Sequence, residues 1–243
     1  EVYGRIDLLH AIAQWGLKVG ATIPQLTDSE LDLRGARHPL LIERLGFEAT
    51  VPLDLLLSAE KSCLIISGSN AGGKTVALKT LGLLMLLAKC GLPLPAASGS
   101  RLPRYGRILV EMDASQDIEH GLSSFTAHAI NLKNIYREAR GGDFVLLDEP
   151  GSGTDYQAGG AFAVAYVDAL LDRGVYVVLT SHAEQVKLYG LSSARAENAA
   201  TAFDETGLKP LYALRYGLMG LSRPFDILRS IDFPPEVLAA AKT

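Results

Sequence analysis

Eight consecutive residues, Gly68-Ser69-Asn70-Ala71-Gly72-Gly73-Lys74-Thr75, have the types and order needed to hold a chain of phosphates. They fit the pattern G-x-x-x-x-G-K-[ST], follow an apolar run and precede a helical stretch. That setting separates the motif from a glycine-rich turn with an incidental lysine. The glycines let backbone N–H groups converge on an anion, and the helix start adds the positive end of its dipole. Lys74 reaches the β and γ phosphates, and Thr75 can ligate Mg2+. A second centre closes the run Phe144-Val145-Leu146-Leu147-Asp148-Glu149. There Asp148 would hold the Mg2+ shell through water, and Glu149 would orient or deprotonate an attacking water. Acids at a strand end are common at a solvent edge, but beside a phosphate loop they favour hydrolysis over transfer to a small molecule.

Thr180-Ser181-His182 closes the next apolar run. Its imidazole could hydrogen-bond the γ phosphate or the attacking water, although a lone strand-end histidine can equally be a polar terminus. His10, His38, His120 and His128 have weaker claims and read as surface or capping residues. Pro150-Gly151-Ser152-Gly153-Thr154-Asp155 is a connection with Asp155 as N-cap, or a polar loop coupling the acids to a neighbouring subunit. Asp117 to Phe125 offers Ser123 or Ser124 as the N-cap of the next helix. A hydroxyl at a helix N-terminus also makes an anion site, suited to a γ phosphate presented by another copy.

The elements that must position these groups alternate along the chain. Strands are predicted at Cys63–Ser67, Arg107–Met112, Asp143–Asp148 and Val175–Thr180, and helices at Thr75–Cys90, Ser124–Arg140 and Gln157–Asp172. The strands are continuously apolar rather than alternating, which implies a mainly parallel sheet covered on both faces. Arg195–Phe203 and Pro210–Tyr216 flank a turn at Asp204-Glu205-Thr206-Gly207, a hairpin. Residues 5–17 place Ile6, Leu9, Ala13 and Leu17 on one helical stripe, expected to pack on preceding chain or on the body behind it. Residues 22–59, broken by Pro24, Pro39 and Pro52, read as loop-rich with short strand-like pieces. The last 27 residues look helical, with Pro234-Pro235 opening a final helix at Glu236–Lys242.

Composition sets the limits. The 243 residues are 48% hydrophobic and 21% charged, enough to bury a core and unlike a disordered chain. The apolar run from Leu81 to Ala88 stops at Lys89, short of the ~20 residues of a membrane span. Two cysteines, Cys63 and Cys90, exclude a disulfide framework and a paired zinc site, and both read as core filler in a reducing cytoplasm. A net charge of −4 argues against a surface that grips nucleic acid by itself. With no initiator Met and no signal-peptide pattern, a piece of a longer protein is expected.

Taken together, Arg37-His38-Pro39, GSNAGGKT, DIEHGLSSF, LLDEPGSGTD, TSH and FPPEVLAAAK resemble the ATPase domain of the MutS family. These are ATP-driven DNA-transaction proteins related to the ABC ATPases, and the resemblance covers nearly the whole chain. The LSGGQ string of ABC transporters is absent, which disfavours a transport or chromosome-organising relative. Thr75-Val76, Asp155 after Gly153-Thr154, and His128 lean toward the second MutS branch, which lacks the mismatch-reading domain and is implicated in suppressing recombination.

The resemblance implies an α/β P-loop NTPase of ABC-ATPase type, a mainly parallel sheet flanked by helices, with a C-terminal helical dimerisation extension. Residues 1–20 would end a preceding clamp or lever helix, 21–216 form the ATPase domain and 217–243 the extension. It further implies a homodimer with shared sites. Gly68, Ser69, Asn70, Ala71, Gly72, Gly73, Lys74, Thr75 and Val76 would bind ATP, and Thr75 and Asp148 Mg2+. Glu149 and His182 would act at the lytic water, and Gln116 and Ser123 would face the phosphate held by the partner. Leu122 stands where mismatch-repair members commonly carry a basic residue. The family's adenine region falls near Thr50 and Val51, neither of which stacks. DNA would be held by domains outside this segment, with no nuclease activity within it. Two rival readings remain, a nucleotide switch with incidental turnover, and a full protein acting on ribosomes or structured RNA.

Overall fold

The computed structural model describes residues 1–58, 60–69, 72–112, 124–204, 206–207, 209–220 and 234. Along the chain lie α1 (Val2–Lys18), β1 (Gln25–Thr27), β2 (Leu31–Ala36), α2 (Pro39–Leu45), β3 (Leu53–Leu57), β4 (Cys63–Ser67) and α3 (Lys74–Lys89). There follow β5 (Arg101–Pro103), β6 (Ile108–Glu111), α4 (Ser124–Glu138), β7 (Phe144–Asp148), α5 (Tyr156–Leu171), β8 (Tyr176–Thr180), α6 (Glu184–Ser192), β9 (Ala196–Asp204) and β10 (Lys209–Tyr216).

Every residue of β4 and of β7 is buried, as continuous apolar strands require when both faces are covered. Alternate side chains go to opposite faces. Leu64, Ile66, Leu146 and Val178 join α3 and a second, smaller sheet in one core. Cys63, Ile65, Val145, Leu147, Val177 and Leu179 join α4 and α5 in the other. These strands belong to a six-stranded sheet ordered β10-β9-β4-β8-β7-β6. Pairings from β9 through β6 are parallel, and β10 alone runs antiparallel, on β9. The order places the carboxyl ends of β4, β8 and β7 side by side, and each of the three strands ends in one of the polar motifs.

The leading residues hold more structure than a loop-rich reading allowed. Short strands pair across long stretches of chain, Gln25 opposite Arg101 and Leu31 opposite Leu57, to form a four-stranded sheet ordered β1-β5-β2-β3. Asp32, nearly buried, accepts from both Arg34 and Arg101, and these guanidinium bonds hold its carboxyl below the usual range. Helices α2 and α6, of seven and nine residues, add to the elements that the sequence pattern predicts.

The stripe on α1 does not pack on the body. Ile6, Leu9 and Leu17 are exposed, and Gly16 is the helix's one buried residue. Cys63 is core, but Cys90, expected as core filler, lies exposed at the C-cap of α3, where the helix ends and its side chain meets solvent. The expected C-terminal helix lies outside the described residues, Pro234 apart. No described helix is long and apolar enough to cross a membrane.

Candidate functional site

The phosphate loop leaves β4 with Gly68 at φ 135, and α3 begins after Gly73, its N-cap, at φ 85. The bend brings the loop hard against β9. A Cβ on Gly68 would stand 1.9 Å from Thr201 Oγ1, so this position has room only for hydrogen as well as a backbone suited to glycine. Ser69 is buried, and its carbonyl accepts from Gly72 N at 2.9 Å. Asn70 and Ala71 lie outside the described residues. Thr75 is half-buried in the first turn of α3, beside exposed Val76.

Lys74 is buried, and its Nζ donates to the carbonyls of Gly68 at 3.2 Å and Ser69 at 3.3 Å. Burial pulls its pKa down, against the opposing charges of Glu149 and Asp148. Nζ also stands 3.7 Å from Glu149 Oε1 and 3.0 Å from His182 Nε2. His182 Nε2 is in turn 2.9 Å from Glu149 Oε1, and this hydrogen bond leads in holding the carboxyl below its ordinary range. The lysine that opens α3 and the acid and imidazole just past the ends of β7 and β8 thus meet at one point.

Asp148 is buried at the end of β7, where its Oδ1 accepts from Thr180 Oγ1 at 2.5 Å. The next residue, Glu149, has φ 52, left-handed for a side chain that gains nothing from it, and its N–H donates to the same Thr180 hydroxyl at 3.0 Å. The loop beyond is anchored where Asp155 caps α5, accepting from Gln157 N at 3.1 Å and Ala158 N at 2.9 Å. Tyr156 OH donates to His182 O and accepts from Glu184 N, which secures the backbone behind the imidazole.

The other histidines differ. His10 is exposed. His38 occupies the N-cap position of α2 but makes no side-chain cap, and burial with nearby Lys79 lowers its pKa. His128 is not a surface residue: its Nδ1 lies 3.0 Å from buried Glu111 Oε1, because α4 packs on the end of β6. Gln116, His120, Leu122 and Ser123 lie outside the described residues, and the side chain of Ser124 is likewise not described. Thr50 is buried and spent locally, its Oγ1 donating to Gly46 O and its carbonyl accepting from Arg37 Nε.

Two residues bear on the site in ways the sequence does not reveal. Thr180, part of the Thr180-Ser181-His182 run but with no role of its own there, is one. The other is Tyr212 on β10, at φ 55, where the β9–β10 register shifts between Pro210 and Leu214. A Cβ on Gly73 would sit 3.0 Å from its ring, so an aromatic flanks the phosphate loop. An aromatic in a predicted hairpin was the available signal, but only the strand order shows which element the hairpin lies beside.

For a divalent cation the local donors are hard oxygens, the Thr75 hydroxyl and the Asp148 carboxylate, the set Mg2+ takes when phosphates and water complete its shell. The described residues hold no group of three or more His, Cys, Asp or Glu able to form a cage. The glycines hold the loop tight against the sheet, since a Cβ at Gly68 or Gly72 would meet Thr201 and one at Gly73 would meet Tyr212, and the backbone N–H groups of such a turn at a helix start suit phosphate.

Comparison with known proteins identifies the family. Residues 64–243 match the family model described as MutS domain V. The Endonuclease MutS2 of Carboxydothermus hydrogenoformans is 39% identical over 244 residues, covering 100% of this chain and 31% of that protein. That of Solidesulfovibrio magneticus is 42% identical over 236 residues, 97% of this chain and 30% of the relative. That of Enterococcus faecalis is 36% identical over 242 residues, with coverage of 99% and 30%. The chain spans about three tenths of the length of these curated relatives. With one family model matched across most of its length and MutS2 proteins similar across all of it, the chain belongs to the MutS family, in its MutS2 branch, and carries the ATPase domain, domain V.

Proposed function

We propose that this segment hydrolyses ATP with Mg2+ and that the ATP state favours a head-to-tail homodimer. The turnover would move attached DNA-binding parts of a protein acting in recombination control or repair. One observation carries the reading: Lys74, Glu149 and His182 converge within 3.7 Å of one another at the carboxyl ends of adjacent parallel strands. Ligands of open α/β sheets bind at that edge.

Lys74 and the N–H groups of the loop would bind the outer phosphates, and Thr75 with Asp148 would hold Mg2+, which supplies charge neutralisation when bound. Glu149, whose carboxyl the hydrogen bond to His182 holds below its ordinary range, would accept the proton of an attacking water. His182 would orient that carboxylate, and Tyr212 would offer its ring to the base. Gln116 and Ser123 would meet the phosphate held by the partner.

Residues 21–216 would form the ATPase domain and 217–243 the dimerisation extension. Residues 1–20 would end a helical lever, a reading supported by the outward apolar stripe of α1. The endonuclease in the relatives' names belongs to those longer proteins, and the ATP chemistry alone is assigned to this segment.

Glu149→Gln tests the reading. ATP binding should persist while turnover falls by about 100-fold or more, the range for loss of a positioned base. Sedimentation with ADP and with a nonhydrolysable ATP analogue tests the dimer, which should form with the analogue. Unchanged turnover in the variant removes Glu149 from the chemistry, and a monomer in both nucleotides removes the shared site.

A further inference from the structure

We propose that Thr180 is a positioning residue that locks the two acids of the site into one unit through a single hydroxyl. The inference rests on the ATP-hydrolysing reading above. Thr180 is fully buried at the end of β8, in register with Asp148 on the neighbouring strand β7. Its hydroxyl has one proton to give and lone pairs to receive. An ionised carboxylate can only accept, so the proton goes to Asp148 Oδ1 at 2.5 Å, and a lone pair takes the Glu149 N–H at 3.0 Å.

Both bonds matter to geometry that the chemistry needs. With Oδ1 of Asp148 engaged, the orientation of its carboxylate is fixed before a cation arrives. Glu149 sits at φ 52, a backbone state disfavoured for a residue with a side chain, and the hydroxyl holds the amide of that turn. From that turn its carboxylate reaches His182 and Lys74. Branching at Cβ restricts the Thr180 rotamer within the strand, so the hydroxyl is aimed before any nucleotide arrives. A pull on Asp148 by a bound cation is thereby passed to the backbone of Glu149 through one oxygen atom.

Thr180→Val keeps the shape and removes the hydroxyl, and Thr180→Ser keeps the hydroxyl and removes the methyl. Both are made in the intact protein and followed by steady-state ATP turnover and, without turnover, by Mn2+ binding in the presence of ADP. Thr180→Val should lower kcat by about tenfold or more, with KM for ATP moved by less than about threefold, and weaken Mn2+ by about tenfold, as loss of an outer-shell partner does. Thr180→Ser should recover most of the rate. If Thr180→Val does not fold, Thr180→Ala carries the same comparison. A hydroxyl-free variant with kcat within about twofold of the parent, or Thr180→Ser as impaired as Thr180→Val, overturns the proposal. If the parent shows no turnover, the ATPase reading fails instead. The Mn2+ arm still decides Thr180, since unchanged Mn2+ affinity without the hydroxyl overturns its role at Asp148.

Discussion

Lys74 Nζ and His182 Nε2 stand 3.0 Å apart, joined across 108 residues of chain, and Glu149 Oε1 lies 2.9 Å from the same imidazole nitrogen. One nitrogen cannot both accept from the lysine and donate to the acid. An ionised carboxylate can only accept, so Nε2–H donates to Glu149, and the ammonium has the Gly68 and Ser69 carbonyls to donate to.

Removing the imidazole should therefore change an acid limb as well as a rate. In His182→Ala, Glu149 loses the leading cause of its depressed pKa and is protonated at higher pH than in the parent. The acid limb of kcat should move upward, and the plateau rate should fall by about tenfold to 100-fold, with ATP binding retained. A pH–rate profile of parent and variant checks this, and an unmoved acid limb removes the hydrogen bond from the account.

Gly220, far from the phosphate loop in sequence, should control nucleotide affinity. Its N–H donates to Ser67 Oγ at 2.8 Å, and a Cβ there would stand 2.3 Å from Gly68 N and 2.4 Å from Ser67 C. Those are backbone atoms at the start of the loop and cannot swing aside. Gly220→Ala should weaken ATP and ADP by about tenfold or more, a shift of at least ~1.4 kcal/mol, while circular dichroism stays that of the parent. Calorimetric titration measures it, and unchanged affinity in a folded variant would refute the contact.

Asp143 is a pH-dependent support for the opposite end of the sheet. It is nearly buried and accepts from Arg107 N at 2.8 Å, Arg140 N at 2.9 Å and the Arg107 guanidinium at 3.0 Å. Burial opposes ionisation, but the bonds from Arg107 and Arg140 together win and lower its pKa. A carboxyl depressed in the folded state stabilises above the unfolded value of 3.8, and this is lost as pH falls through the folded value. Asp143→Asn should cost about 2 kcal/mol at neutral pH, the scale of hydrogen bonds to a charged group, and much less below the carboxylate range. Thermal unfolding at pH 7 and under acid conditions decides it, and a cost independent of pH would mean packing rather than charge.

How far the sequence reaches depends on the distance over which each feature is determined. Cys63–Ser67 and Phe144–Asp148 announce buried strands through their own residues, and Gly68 to Thr75 through local spacing. Helix ends were legible to within a few residues because Asp155 and Gly142 act on their neighbours. The small sheet was not, because β1 and β5 have three residues each and acquire meaning only by pairing Gln25 with Arg101. The convergence of Lys74, Glu149 and His182 was expected from motif types, whereas the Thr180 hydroxyl between the acids depends on β7–β8 register. His128 looked peripheral because its partner, Glu111, comes from another element.

Tyr212 gives the last prediction, and the same register argument explains it. The β9–β10 ladder shifts between Pro210 and Leu214, and Tyr212 takes φ 55 within that shift, where its ring lies against Gly73 and stays 47% exposed. A half-exposed ring beside a phosphate loop can stack a base, worth ~1–3 kcal/mol. Tyr212→Ala should raise KM for ATP by about tenfold, and Tyr212→Phe should stay near the parent, because the ring and not the hydroxyl makes the contact. Tyr212→Gly separates ring from backbone, since glycine accepts the left-handed conformation without cost. If Gly binds nucleotide as weakly as Ala, the ring is responsible. If Gly restores affinity, the backbone of the shifted strand was what mattered. Stacking tolerates any base, so GTP should weaken in parallel with ATP, and a loss confined to ATP would point to hydrogen bonding by the hydroxyl instead.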